Sequence, residues 1–217
     1  MDHTLFYYIN PNSDIDSECF FDKMNLQDTI RKQISDSIKV KELLLDEKYL
    51  SIIEKIGKII VSVYKSGKKV ILCGNGGSAS DAQHIAGEML GRFKMERRAL
   101  PAIAITSNSS TVTAISNDYG FDYVFRRQVE AYGIAGDVLI GISTSGDSAN
   151  ILAAVDQAGK MGIVTIGLLG KSGGKLKEMV DVPFVVPSDD TPRIQECHIL
   201  IGHIVCDLVE NGLFENQ

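Results

Sequence analysis

The chain has 217 residues, 44% of them hydrophobic, which is enough to bury a sizeable core in one domain. Its net charge of −6 argues against a general binder of nucleic acid or of anionic membranes. No stretch reaches the roughly 18 apolar residues of a membrane span, and the first residues do not form a secretion signal. The 4 cysteines are scattered, which is typical of reduced thiols. We therefore expect a soluble cytoplasmic protein with neither nucleic-acid nor membrane partners.

The first part of the chain predicts an irregular segment followed by two helices. Residues 1–24 mix aromatic and polar side chains without a regular period, and we interpret them as an N-terminal extension of a single domain over 25–217. Apolar residues then recur every three or four positions over 26–38 and again over 50–63, which predicts two amphipathic helices. Their apolar faces either cover the sheet of the same chain or pair with a second copy.

A glycine-rich turn follows an apolar strand predicted at Val70–Cys73 and opens a helix. Free N–H groups and the helix dipole converge at such a turn, so it favours a bound phosphate. The candidate ligands are the residues of the turn, namely Asn75, Gly76, Gly77 and Ser78. A tight turn also needs glycine for steric reasons alone, and this alternative has equal weight.

The helix after this turn carries side chains suited to acid–base or metal chemistry. Ser78 precedes Asp81 by three residues, a capping pattern that predicts the helix start near Ser78. His84, Glu88 and Arg92 then follow at intervals of four residues, which brings them to one side of the helix. An imidazole, a carboxylate and a guanidinium below a phosphate site suit a reaction on a phosphorylated molecule. The alternative is a solvated ion pair between His84 and Glu88.

Four further apolar runs alternate with helical segments, at 102–106, 138–142, 164–168 and 182–186. Together with the first strand they predict a doubly wound α/β fold, in which a five-stranded parallel sheet lies between helices. Pro183 cannot donate a ladder hydrogen bond, so it predicts that the last strand lies at an edge. Ligands of such folds bind beyond the carboxyl ends of the strands, where the turns into the helices lie.

The turn after the 138–142 strand is rich in hydroxyl groups. Capping of the following helix explains one or two of them, and phosphate binding by O–H and N–H donors explains the rest. The candidate phosphate ligands here are Ser143, Thr144, Ser145 and Ser148. We therefore predict that this turn binds phosphate.

Two other polar segments have weaker interpretations. Asn117 and Asp118 follow the 102–106 strand and are able to bind the hydroxyls of a polyol, although ordinary turn chemistry explains them equally. The sequence Gly170-Lys171-Ser172 resembles the end of a nucleotide-binding loop, but Thr165 stands where that motif needs glycine. We interpret this segment as a glycine-rich turn and predict no NTPase.

A last helix is predicted over 192–213 and is apolar around most of its circumference. Gln195 and His203 lie about 80° apart around it, so they can border one cavity. His203 and Cys206 form a second possible metal pair. A metal there needs further ligands, and His84 with Glu88 is the obvious complement. A histidine in an apolar helix is more often a hydrogen-bonded core residue than a ligand, and this alternative applies to His198 and His203 alike.

These separated motifs together resemble the phosphoheptose isomerase family of the sugar-isomerase (SIS) superfamily. The resemblance covers about residues 26–213, and its last motif is Arg193-Ile194-Gln195-Glu196 with His203. It implies an SIS-type fold, with a five-stranded parallel sheet between helices, and a homotetramer. It also implies conversion of D-sedoheptulose 7-phosphate to D-glycero-D-manno-heptose 7-phosphate by enediol proton transfer, toward heptose for the bacterial envelope.

The resemblance further implies roles for single residues. Glu88 becomes the base and His203 the acid, and one zinc ion per chain is bound by His84, Glu88, Gln195 and His203. Arg92 and Gln195 join the polar turns as substrate ligands. Catalytic groups of adjacent subunits share one site, so that His203 faces the Glu88 of a neighbour. Some members carry an acidic residue where this chain has Thr191-Pro192.

Two alternatives come from the same superfamily. A non-catalytic module, either a phosphosugar sensor or a replication-initiator-associating protein, would keep the glycine turns but need not keep an acid and a base. The presence of Glu88 and His203 favours an enzyme. An isomerase of another phosphosugar, such as arabinose 5-phosphate, is disfavoured by Gln195 and His203 in the final helix.

Overall fold

The computed structural model describes residues 25–215. The predicted N-terminal extension and Cys19 lie outside this range, so the proposed domain limits stay predictions. The described residues divide into two compact units, with the division between Ile38 and Lys39. The first unit contains the beginning of helix α1 (Leu26–Leu43), in which Lys32 and Asp36 form an ion pair of 2.5 Å. None of the residues of α1 is buried, and its isoleucines are exposed.

The second unit alternates strands and helices. A single 3₁₀ turn, Phe121–Tyr123, interrupts the alternation. The elements are α2 (Glu47–Lys65), β1 (Val70–Gly74), α3 (Gly77–Leu90), β2 (Ala102–Ala104), α4 (Ser109–Tyr119), α5 (Val124–Tyr132), β3 (Val138–Ser143), α6 (Ala149–Lys160), β4 (Val164–Leu169), α7 (Leu176–Met179), β5 (Val182–Val185) and α8 (Thr191–Phe214).

The five strands form one parallel sheet in the order β2-β1-β3-β4-β5. This confirms the predicted class, and Pro183 lies on the edge strand β5 as expected. The chain moves from β1 to one side to form β2 and then returns to the other side of β1 to form β3. The carboxyl ends of β1 and β3 therefore flank the switch point of the sheet, where ligands of doubly wound folds bind.

Two hydrophobic clusters cover the two faces of the sheet. Alternate strand residues explain this, because Val70 and Leu72 of β1 point into one cluster and Ile71 and Cys73 into the other. The first cluster is completed by α2, α3 and α8, and the second by α5 and α6. Two of the helices that carry predicted site residues, α3 and α8, thus lie on the same face and pack against each other.

Helix α8 is the core helix of the first cluster. It is the one described helix long and apolar enough to cross a membrane. It nevertheless packs against α2 and α3, and Ile194, Ile201 and Val209 are at most 1% exposed. Its circumference is not buried completely, since Ile204 and Leu208 are 38% and 37% exposed.

The predicted start of α3 near Ser78 is confirmed to within one residue, but the predicted cap and the predicted extension of the helix to Arg92 are wrong. The N-cap is Gly76 with a φ of +54° and no side-chain hydrogen bond, so the predicted capping pair of Ser78 and Asp81 does not form. The glycine turn itself bends the chain into the helix, and Ser78 is buried within the first turn. The helix ends at Leu90, so Arg92 lies beyond it rather than on the face of His84 and Glu88.

Candidate active site

Three titratable side chains from α3 and α8 converge at one point. His84 Nε2 lies 3.1 Å from Glu88 Oε1 and 3.1 Å from His203 Nε2. One ligand atom from each of the three lies within 4.8 Å of the others. The helices approach closely because Gly202 has no side chain, since a Cβ there would lie 2.6 Å from Cδ1 of Ile85. A single chain thus supplies all three groups. The expectation that adjacent subunits share catalytic groups, so that His203 faces the Glu88 of a neighbour, stays a prediction.

This cluster has the donors of a divalent-metal site. Two imidazoles and one carboxylate are common ligands of zinc, and a fourth position is then open to an amide, water or substrate. The alternative metal pair of His203 with Cys206 is not supported, since Cys206 is absent from the group that converges within residues 25–215. Burial raises the pKa of the Cys206 thiol to about 12, which keeps it protonated.

The β1–α3 turn, residues 74–77, is bonded to the amide of Asn150 and contacted by the amide of Gln195, two residues from distant elements. The Asn75 and Asn150 amides exchange two hydrogen bonds of 2.9 Å, and this joins the turn to the first residues of α6. The Gln195 amide lies against the other end of the turn, because a Cβ on Gly77 would be 2.4 Å from its Nε2. Glycine at 77 therefore gives Gln195 access to the start of α3. The sequence did not indicate a role for Asn150, because a single asparagine is common in the first turn of a helix.

The β3–α6 turn, residues 144–148, is held mainly by its own hydroxyl groups. The Gly146 N–H donates to Ser143 Oγ at 3.1 Å, and the hydroxyls of Ser143 and Ser148 are also 3.1 Å apart. The Asp147 N–H donates to Ser145 Oγ at 3.2 Å. These bonds arrange the hydroxyls around the N-terminus of α6, where free N–H groups attract an anion.

The glycine-rich segment over 170–175 supports the β3–α6 turn from outside. The Lys175 N–H donates to Asp147 Oδ1, and the Leu176 N–H donates to the Gly146 carbonyl, both at 3.0 Å. A Cβ on Gly146, whose φ is +74°, would lie 1.9 Å from the Gly173 carbonyl oxygen. The segment is thus a turn, as predicted, and its close backbone contact explains the glycines on both sides.

Three other candidate residues make contacts outside the cluster. Arg92 is exposed, and its Nε lies 3.9 Å from Glu96 Oε2. On the last turns of α4, Asn117 Nδ2 donates to Asp118 Oδ1 at 3.0 Å. Among the described residues, no hydrogen bond or ion pair joins Arg92, Asn117 or Asp118 to the histidine–glutamate cluster. Their predicted contacts to substrate stay predictions.

His198 is a core histidine, as its apolar helix suggested. It is fully buried in α8, and its Nε2–H donates to the Leu169 carbonyl at 3.0 Å. Burial lowers the pKa of His198 to about 4, against the opposing effect of the Leu169 bond. The ring is therefore neutral at physiological pH and anchors the end of β4.

Comparison with known proteins identifies the family. A family model described as SIS domain matches residues 35–170. Phosphoheptose isomerase of Clostridium acetobutylicum is 56% identical over 190 residues, which cover 87% of this chain and 97% of that protein. The same enzyme of Geobacter metallireducens is 61% identical over 157 residues, 72% of this chain and 83% of that protein. The chain belongs to the phosphoheptose isomerase family of SIS-domain proteins.

Solved structures agree with this assignment. The phosphoheptose isomerase GmhA of Neisseria gonorrhoeae is 42% identical and superimposes with a TM-score of 0.81, covering 86% of this chain and 100% of that chain. The phosphoheptose isomerase of Francisella tularensis is also 42% identical, with a TM-score of 0.83 over 87% and 100% of the two chains. The predictions of an SIS fold and of an isomerase rather than a non-catalytic binding module are confirmed.

Proposed function

We propose that this phosphoheptose isomerase family member converts D-sedoheptulose 7-phosphate to D-glycero-D-manno-heptose 7-phosphate. The observation that carries the proposal is the convergence of Glu88 with His203, because α3, which carries Glu88, opens from the β1–α3 turn at the switch point of the sheet. The product is the first intermediate toward nucleotide-activated heptose for the bacterial envelope. The reaction takes place in the cytoplasm and involves neither nucleic acid nor membrane.

Glu88 and His203 divide the proton transfers of a ketose–aldose isomerisation. The Glu88 carboxylate removes a proton from C1 of the ketose, while His203 protonates the oxygen that develops negative charge on C2. The enediol that results loses its O1 proton to His203 and regains a proton at C2 from Glu88. Both residues return to their starting protonation states, and the aldehyde forms at C1.

The same cluster would hold one zinc ion per chain. The ligands are His84, Glu88 and His203, together with the Gln195 amide that lies against the start of α3. When bound, zinc would supply Lewis-acid polarisation of the substrate carbonyl. Because a metal-bound carboxylate is a poorer base, Glu88 alternates between metal ligand and base. His84 then serves to hold the metal and to fix Glu88, which lies one helical turn away.

The two turns share the recognition of the substrate. The hydroxyls of the β3–α6 turn and the N–H groups of α6 bind the phosphate, through Ser143, Thr144, Ser145 and Ser148. The β1–α3 turn and Gln195 bind the sugar chain, through Asn75, Gly76, Gly77, Ser78 and Gln195. Arg92, Asn117 and Asp118 complete the set, and the exposure of Arg92 leaves it able to reach an anionic ligand.

The active form is a homotetramer. Ile30, Ile34 and Ile38 of α1 follow one helical stripe and are 58%, 58% and 51% exposed. An apolar stripe of this kind is stabilised when a second copy covers it. Light scattering on the purified protein should give a mass close to four times 23.7 kDa, and a monomer at assay concentration would contradict the assembly.

The function is tested by incubating purified protein with sedoheptulose 7-phosphate and following aldose formation. Glu88→Gln should lower kcat by roughly 10²- to 10⁴-fold, because it removes a general base. Glu54→Gln, which changes an exposed glutamate of the i,i+4 pair with Lys58 on α2, is the matched control and should leave kcat unchanged. Wild-type protein that binds the sugar phosphate without isomerising it would reject the proposal in favour of a binding module.

The metal is tested by analysis and chelation. Purified protein should contain about one zinc per chain, and His84→Ala should reduce this content because it removes one ligand. Chelation should depress activity, and added zinc should restore it. Full activity of metal-free protein would remove zinc from the proposed mechanism.

A further inference from the structure

A buried ion pair joins the segment after α3 to the far end of α8. Arg97 lies in this segment, residues 91–100, and Glu210 lies two helical turns after His203 on α8. Arg97 Nε donates to Glu210 Oε1 at 2.8 Å, and both side chains are 1% exposed. A buried pair of charges is stable only when further hydrogen bonds satisfy both groups, so the remaining partners of each are informative.

The Glu210 carboxylate binds the backbone of three consecutive residues. Its Oε1 accepts the Phe93 N–H at 2.9 Å, and its Oε2 accepts the N–H groups of Lys94 and Met95 at 2.8 and 3.0 Å. Burial by itself would raise the pKa of Glu210, but these N–H groups and the Arg97 guanidinium outweigh it and hold the pKa below its usual range. Glu210 therefore fixes the backbone that carries Phe93.

The Arg97 guanidinium binds the end of α3. Its Nη2 donates to the Glu88 carbonyl at 2.8 Å, and its Nη1 donates to the carbonyls of Met89 and Gly91, both at 2.9 Å. The last carbonyls of a helix have no partner within the helix, so a guanidinium there satisfies them and ends the helix at a defined residue. Arg97 thus holds the backbone of the proposed base.

The Phe93 ring completes the connection to the proposed acid. It is stacked on the His203 imidazole, with ring centroids 5.6 Å apart and planes inclined by 23°. His84 also contacts the His203 ring edge-on, at a centroid distance of 5.0 Å and an angle of 63°. Contacts with both Phe93 and His84 therefore restrict the orientation of the imidazole.

We propose that Arg97 and Glu210 form a clamp that positions Glu88 and, through Phe93, His203 for proton transfer. The inference rests on the proposed function, because it concerns the same acid and base. Arg97, Glu210 and Phe93 are positioning residues. From the sequence alone, Arg97-Arg98 is interpreted as a pair of surface charges, which is wrong for the buried Arg97 side chain. Neither Glu210 nor Phe93 stands out in the sequence, since the clamp joins positions more than a hundred residues apart and its parts have no local motif.

The first test compares two buried carboxylates. Glu210→Gln keeps the size of the side chain but places N–H groups against backbone N–H donors. Asp137→Asn is the matched control. Asp137 is also fully buried, and it accepts from two backbone N–H groups and from Lys69 Nζ. It directly precedes β3, at the end of the sheet opposite the two turns. We expect Glu210→Gln to lower kcat by about 10- to 100-fold, as small misplacements do. KM should change by less than about twofold, and Asp137→Asn should lower the Tm without lowering kcat.

A second variant keeps the test decisive if Glu210→Gln does not fold. Phe93→Leu leaves the buried pair intact and removes only the stacked ring, so it should lower kcat and shift the ring resonances of His203 in NMR spectra. In the double variant Phe93→Leu/Glu210→Gln, kcat should fall no further than in the worse single variant. Wild-type kcat and unshifted resonances in Phe93→Leu would overturn the inference, as would equal kcat losses in Glu210→Gln and Asp137→Asn. An inactive wild-type protein would instead reject the proposed function.

Discussion

The two turns at the switch point of the sheet look alike in sequence but are supported differently. Each follows a buried strand, contains glycine and small polar residues, and opens a helix. The β1–α3 turn has no side-chain cap, is hydrogen-bonded to the Asn150 amide of α6 and lies against the Gln195 amide of α8. The β3–α6 turn is held by its own serines and by the adjoining segment over 170–175.

This difference matches the different tasks proposed for the two turns. A turn that closes on its own hydroxyls presents a fixed set of donors, which suits a phosphate that stays unchanged during the reaction. A turn that contacts amides from two other helices depends on the positions of those helices, and α8 also carries His203. We therefore expect changes at the β1–α3 turn to affect kcat and changes at the β3–α6 turn to affect KM.

The largest expected effect concerns binding at the β3–α6 turn. The variant Ser143→Ala/Ser145→Ala removes two hydroxyls, each worth about 1.5–3 kcal/mol as a hydrogen bond to a charged group. KM should rise by about 100-fold or more, while kcat at saturating substrate changes little. Ser51→Ala on the exposed face of α2 is the control and should keep the wild-type KM. An unchanged KM in the double variant would remove the phosphate from this turn.

The contrast between the turns also explains what the sequence could predict. The hydroxyls around Gly146 lie within six residues of one another, so their clustering was visible as a local pattern. The five strands and the edge position of Pro183 followed in the same way from local hydrophobicity and proline chemistry. The predictions of the strands and of the edge position are confirmed because each depends on neighbouring residues alone, while phosphate binding by the hydroxyls stays a prediction.

The parts that were missed depend on distant contacts. Asn150 holds Asn75 across 75 positions and His84 meets His203 across 119, and no spacing rule connects such pairs. Ligand chemistry offered His84 and Glu88 as possible partners of His203, and the family resemblance implied one zinc site for them, but no spacing in the sequence placed the two histidines together. The predicted position of Arg92 on the α3 face failed for a similar reason, because the helix is ended by Arg97, a residue beyond it.

The next prediction concerns how the stability of the folded protein depends on pH. His198 donates to the carbonyl of Leu169, directly before the segment over 170–175 that supports the β3–α6 turn. Its pKa is about 4 in the folded protein and 6.5 in the ordinary reference state, so the unfolded chain binds more protons between these values. Stability should therefore fall as pH drops through this window, by about 2 kcal/mol between pH 8 and pH 5 from this group.

Urea unfolding of wild type and His198→Gln at several pH values measures that contribution. The variant is expected to be less stable at pH 8, because it loses a shape-matched buried ring. Its deficit should shrink toward pH 5, since only the wild-type protein has the histidine that must stay neutral to remain folded. A deficit that is independent of pH would show that His198 is not neutralised by burial.

The smallest expected effect tests whether the β1–α3 turn is coupled to the chemistry through Gln195. In Gly77→Ala, the new Cβ would lie 2.4 Å from Nε2 and 3.0 Å from Cδ of Gln195, at the flexible end of that side chain. The amide should move away at little cost in stability, and kcat should fall by about tenfold, as expected when a positioned group is displaced. Gly87→Ala, in the same helix with nothing within 4 Å of its Cβ position, is the control and should keep the wild-type kcat. The double variant Gly77→Ala/Gln195→Ala should match Gln195→Ala alone, because the alanine at 77 then has no amide to displace. A further loss in the double variant would mean that Gly77 acts on substrate by itself, and the two turns would then differ less than their supports suggest.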